Sequence, residues 1–274
     1  MQAQIVLTPS ESKKLIAHAV LCMPKVKKAL EHGIVVMHPS SSTLFIFELL
    51  FGKLPENVWV CGCVTQRGLY GTLEAAEVIR AFAAEEADSL MGFRLSFYIK
   101  RGVLQDRMPL GGILDSMIAG DIYIKGVNAI DTQGNAGVLF ANPRGGGGTI
   151  GSVLAAQKKR GFDVILPAGL EKLVPGSISD ICKTTDRKAT MVMGMPCGLY
   201  PVRGEKVDET DAFRILCGAK ATPIAAGGIG GAEGAVVLAI DGDDNQVARA
   251  YEYAMMVKGA RLPTFNLDIA AEKE

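Results

Sequence analysis

The sequence predicts an α/β protein: an open, mostly parallel sheet with helices on both faces (residues 1–176), then a smaller α+β domain of ferredoxin-like type (188–262) and a C-terminal tail (263–274). Three observations predict it. Apolar runs of strand length alternate with helical stripes over roughly 180 residues, the pattern of a parallel sheet covered on both sides. Two loops of small residues, 38–43 and 142–149, each follow a strand and open a helix. Beyond Pro175 the chain turns polar and charged before a β-α-β-β-α order begins.

In chain order, Thr8-Pro9-Ser10-Glu11 is a capping box with proline at the first helical position, so a helix runs over residues 9–20. Pro24 breaks it, a second helix over 24–31 ends at Gly33, and a strand follows at 34–37. His38 to Thr43 then lead into an apolar helix at 44–50. Residues 58–64 form a buried strand, 73–86 an alanine-rich helix, 92–100 an alternating, half-exposed strand, 110–117 a helix and 122–125 a strand. Residues 137–142 are a further buried strand that Gly145 to Gly148 cannot continue. Thr149 caps the next helix, Gly161 ends it, and 162–166 return as a strand, giving a β-loop-α-β unit with a parallel pair. In the C-terminal domain the strands are 190–200, 222–226 and 235–240, with helices at 209–217 and from Asp243 to 258. Its expected role is oligomerisation or covering the site, which makes a homo-oligomer the expected state.

Composition narrows the partners. The 274 residues are 49% hydrophobic, enough for a packed core. Lys plus Arg and Asp plus Glu balance at 29 each, and no basic run exceeds residues 158–160, which argues against nucleic acid as the main partner. The six scattered cysteines, with no charged-then-apolar segment at the start, indicate reduced thiols and a cytoplasmic protein. No apolar stretch reaches the ~18 residues that span a bilayer. Cys61 and Cys63 supply at most half a zinc site, and no second pair completes it, so no metal is expected.

A small anionic molecule is the expected ligand. Glycines before a helix start bare backbone N–H groups, and the helix dipole favours negative charge there. Ligands of parallel sheets lie beyond the carboxyl ends of the strands. These rules nominate Ser40, Ser41, Ser42 and Thr43 in the first loop and Gly145, Gly146, Gly147, Gly148 and Thr149 in the second. Lys125, Arg144 and Lys172 are candidate cations, and His38 is a candidate acid/base group. The competing readings are a helix cap, a tight βα turn, surface charges and a histidine that only bonds its own turn. Gly146, Gly148 and Gly151 also fit G-x-G-x-x-G, but Pro167 and Ala168 stand where a ribose-binding acid is expected, so no nicotinamide cofactor is called for.

The run Gly126-Val127-Asn128-Ala129-Ile130-Asp131, with Gly134-Asn135 and later Gly148-Thr149, resembles the superfamily of glucosamine-phosphate deaminase, ribose-5-phosphate isomerase, translation-initiation-factor-2B-like isomerases and CoA transferases. The similarity covers roughly residues 30–175. It implies a sugar-phosphate site in which Lys125, Arg144 and loop amides hold the anion and Asn128 and Asn135 contact the substrate. Where the isomerases carry an acid this chain has Asn128, which takes no proton, so Asp131 or Glu171 is the expected proton carrier. No glutamate stands in the glycine context of a CoA transferase. The expected activity is an isomerase-like proton transfer. The alternatives are a ligand-sensing or structural relative that lost the acid, and an NAD(P)-dependent oxidoreductase.

Overall fold

A computed structural model describes residues 1–55, 60–72, 96–106, 108–141, 146–184, 189–262 and 267–268. The helix expected at 73–86 and the start of the strand expected at 92–100 lie outside them.

The chain opens with β1 (Gln2–Leu7), α1 (Pro9–Cys22), α2 (Pro24–His32), β2 (Ile34–Met37) and α3 (Ser41–Phe51). The capping box forms as expected: Glu11 N donates to Thr8 Oγ1 (3.5 Å) and Thr8 N to Glu11 Oε2 (2.9 Å). A hairpin of β3 (Cys61–Thr65) and β4 (Gly68–Thr72) follows, then β5 (Phe97–Lys100), β6 (Val103–Leu104), α4 (Leu110–Ser116) and β7 (Ile122–Ile124). Next come β8 (Ala129–Ile130), β9 (Ala136–Phe140), α5 (Gly148–Arg160), β10 (Asp163–Pro167), a 3-10 turn (Leu170–Lys172) and α6 (Ile178–Thr184). The remaining elements are β11 (Gly198–Val202), β12 (Glu205–Val207), α7 (Glu209–Cys217), β13 (Lys220–Gly227), β14 (Ala235–Asp241), α8 (Asp244–Met256) and β15 (Leu267–Asp268).

The protein is mixed α/β around a six-stranded mixed sheet of order β12-β10-β7-β2-β5-β6. The pairs β12–β10, β10–β7 and β7–β2 are parallel, whereas β5 and β6 close the far edge antiparallel. Successive side chains of a strand face opposite ways, and the apolar residues divide accordingly. Val35, Met37, Phe97, Ile99, Ile122, Ile124 and Ile165 enter one cluster with residues of α1, α3 and α7. Val36, Tyr98, Tyr123, Val164 and Leu166 enter the other with Ile113 and Leu114 of α4 and Ile150 and Val153 of α5. Each such fully buried side chain contributes about 1.5–3 kcal/mol. Buried Asp121 fixes the parallel pair at its start: Oδ1 accepts from Ile34 N (2.8 Å) and Oδ2 from Ile118 N (2.8 Å).

Three features differ from the sequence expectation. β9 is not the parallel neighbour of β10; it pairs antiparallel with β8 and β11 in a separate sheet. The C-terminal elements form no sheet of their own, since β12 joins the central sheet, β11 joins β9, and the β13–β14 hairpin takes in β1. Residues 61–65 are no buried core strand: Val64 is exposed, and a bulge at Gly62 (φ +74°) breaks the alternation between Cys61 and Cys63. Among the described residues no helix is long and apolar enough to cross a membrane.

Candidate functional site

The carboxyl ends of β2, β7 and β10 meet at one cleft of about 630 Å³. After β2 come His38, Ser40 and Ser41; after β7 come Lys125, Gly126 and Asn128; beyond β10 the 3-10 turn brings Glu171 and Lys172. Lys13 of α1 and the β3–β4 hairpin complete the lining. Backbone bonds splice the strand ends together, His38 N to Ile124 O (2.9 Å) and Lys125 N to Ile165 O (3.0 Å). Gly126 has to be glycine, because a Cβ there would lie 2.6 Å from Ser40 Oγ. The small residue lets the β7 loop lie against the start of α3.

At that start Ser40 is the cap, its Oγ accepting from Thr43 N (3.2 Å), and Ser41 lines the cleft. Thr43 is fully buried and ties the loop shut by donating from Oγ1 to His38 O (2.7 Å). Ser42 Oγ is buried beside it without a hydrogen-bond partner among the described residues. Neither lines the cleft. His38 does, with Nδ1 and Tyr123 Oη at 3.5 Å. Burial, then the charge of Lys125, hold its pKa well below the ordinary histidine value. His38 is therefore neutral at physiological pH.

Three further expectations are corrected, those for Asp131, Asn135 and the glycine loop, and Asn128 takes a structural role beside its place in the lining. Asp131 lies outside the lining and organises its own turn: Oδ1 accepts from Gln133 N and Asn135 N (2.9 Å each), and Oδ2 from Asn135 Nδ2 (2.9 Å) and Ile178 N (3.1 Å). Burial pushes its pKa up, but these donors outweigh burial and hold it below the usual carboxylate value. It is a fastener, not a base. Asn135 is spent on the same turn. Asn128 touches the cleft, yet both ends of its amide are engaged, Nδ2 donating to Gly62 O and Oδ1 accepting from Leu139 N (2.9 Å each), so it braces the hairpin against β9. Gly146, Gly147, Gly148 and Thr149 do not line the cleft, because β9 leaves the central sheet; Gly147 (φ +76°) packs under Tyr200, where a Cβ would come within 2.6 Å of the ring. Arg144 and Gly145 lie outside the described residues.

Glu171 and Lys172 line the cleft, in company the sequence did not indicate. Lys13 Nζ approaches Glu171 Oε1 at 3.2 Å, with both side chains largely buried. Apart from that ion contact, neither oxygen of Glu171 has a hydrogen-bond donor among the described residues. Beneath them fully buried Glu209 accepts from Leu170 N at 2.9 Å (Oε2) and 3.2 Å (Oε1), fixing the turn. Burial first, with the Glu171 charge adding and the Ser12 hydrogen bond opposing, raises the Glu209 pKa to about 7. Desolvation is likewise the largest influence on Lys172; with Lys13 assisting and Glu171 and Glu209 opposing, its pKa falls to about 8. With three lysines, one glutamate and a neutral histidine, the cleft is positive.

Lys13 and Glu209 escaped the sequence analysis because a charge in the first turns of an amphipathic helix reads as solvated. The hairpin wall escaped because 58–64 reads as core. No protein-family model matches the chain, and no curated protein matches it significantly.

Proposed function

We propose that the cleft binds a small metabolite bearing a phosphate or carboxylate and moves a proton on it, with Glu171 as the acid/base group. The supporting observation is the meeting of three lysines and one buried, donor-poor carboxylate at the carboxyl edge of the parallel strands. Lys125 and the first amides of α3 beside Ser40 and Ser41 offer the anion a charge and a helix dipole. Buried acceptors without donors are rare and costly, and a substrate hydroxyl entering the cleft supplies the donor Glu171 lacks. Glu171 is the one carboxylate among the described lining residues. His38, neutral, orients the substrate. The resemblance to the sugar-phosphate isomerases agrees with this chemistry.

Thermal unfolding against inorganic phosphate, sugar phosphates and simple carboxylates tests binding: a ligand at 100 times its Kd stabilises by about 2.7 kcal/mol. Deuterium uptake from solvent into the bound ligand, followed by NMR, tests proton transfer. Glu171→Gln is expected to retain the thermal shift and lose the exchange. Exchange that persists in the variant refutes the role of Glu171. Binding with no exchange in the wild type gives the ligand-sensing reading instead.

A further inference from the structure

The turn that carries Glu171 places Lys172 beside it. Lys13 occupies Glu171, and among the described residues no carboxylate lies within 4.0 Å of the Lys172 ammonium. An amine that is desolvated, unpaired and next to another cation gives up its proton near neutral pH and becomes nucleophilic, in keeping with the lowered pKa of Lys172. Lys13 is held in an ion pair, and Lys125 stands at the anion end of the cleft, within electrostatic reach of His38. Lys172 is left as the amine that faces the reacting part of a ligand.

We propose that Lys172 forms an imine with an aldehyde or ketone whose phosphate or carboxylate is held by Lys125 and the start of α3, an inference that rests on the cleft being an anion site. The neutral amine adds to the carbonyl carbon, forming a C–N bond while the C=O π pair moves to oxygen. One proton from solvent and one leaving nitrogen convert that oxygen to water, which departs as the C=N bond forms. The product is an iminium ion. It draws electrons from the adjacent C–H bond, whose proton passes to Glu171 as an enamine forms. Imine formation thus makes the proton removal assigned to Glu171 easier.

The test uses the wild-type protein with two probes, pyridoxal phosphate and glyoxylate, each followed by borohydride reduction and peptide mapping by mass spectrometry. Lys172 is expected to be labelled ahead of the exposed lysines, with inorganic phosphate or acetate protecting it. The phosphate and carboxylate probes distinguish which anion the site takes. Labelling rate against pH is expected to rise to its midpoint near pH 8, against about 10.4 for solvated lysines. Lys172→Arg, which keeps the charge, is expected to lose the label and keep the thermal shift with phosphate. Label spread over exposed lysines, confined to Lys13 or Lys125, or absent overturns the proposal. If phosphate still raises the unfolding midpoint, the anion site survives that result; if it does not, both readings fall.

Discussion

Glu209 sits fully buried at the first position of α7 and anchors the turn that carries Glu171 and Lys172. Its pKa rises from 4.5 to about 7 on folding, chiefly by desolvation. A carboxyl whose native pKa is raised binds its proton more tightly in the folded state. Its contribution is therefore complete below pH 4.5 and is lost as pH rises toward 7. Two and a half units at 1.36 kcal/mol each amount to about 3 kcal/mol. Glu209→Gln keeps an acceptor for Leu170 N and mimics the protonated form without titrating. Urea unfolding of both proteins at half-unit steps from pH 4.5 to 7.5 should give a stability difference that drifts in favour of the variant by about 3 kcal/mol and levels near pH 7. Other carboxylates cancel in the difference. A difference independent of pH would refute the assignment of the buried titration to Glu209.

Asp131→Asn turns an amide toward the two donors that Oδ2 now accepts, Asn135 Nδ2 and Ile178 N. At about 1.5 kcal/mol or more for each bond to a charged group, it should destabilise the fold by roughly 3 kcal/mol in urea unfolding while leaving the phosphate-induced midpoint shift intact. Loss of exchange activity without loss of stability would restore Asp131 as the base. Gly126→Ala drives a methyl to within 2.6 Å of Ser40 Oγ. It should weaken phosphate binding in calorimetry at least tenfold, through displacement of Ser40 and Ser41; unchanged affinity would remove the α3 start from the anion site.

What the sequence made legible was local. The Thr8 box, the proline starts of α1 and α2 and the buried run of β2 are each written within a few residues, and each forms. The device of strand, polar loop and helix at 34–51 put Ser40, Ser41 and His38 on the cleft because β2 is a central parallel strand. The same device at 136–160 misled. Its local chemistry is equally good, but β9 pairs with β8 and β11, and which edge a strand joins is not encoded in its own residues. Lys125, Glu171 and Lys172 were legible as residues following strands. Their partners Lys13 and Glu209 were not, since burial of a charge is decided by elements that lie apart in sequence and meet only in the fold.

Gln2 of β1 lies opposite Asp241 of β14, 239 positions later along the chain. At ~5–20 residues per second on the ribosome, some ten to fifty seconds separate the emergence of the first strand from that of its mate. Throughout that interval Ile5 and Leu7, both buried in the finished protein, have no ladder to join. The nascent chain can assemble β2, β7, β10 and β12 in the order they appear, each beside its predecessor, while β1 stays unpaired until β14 has been made. Completion of the β1-β14-β13 sheet is thus timed by synthesis of the β14 strand.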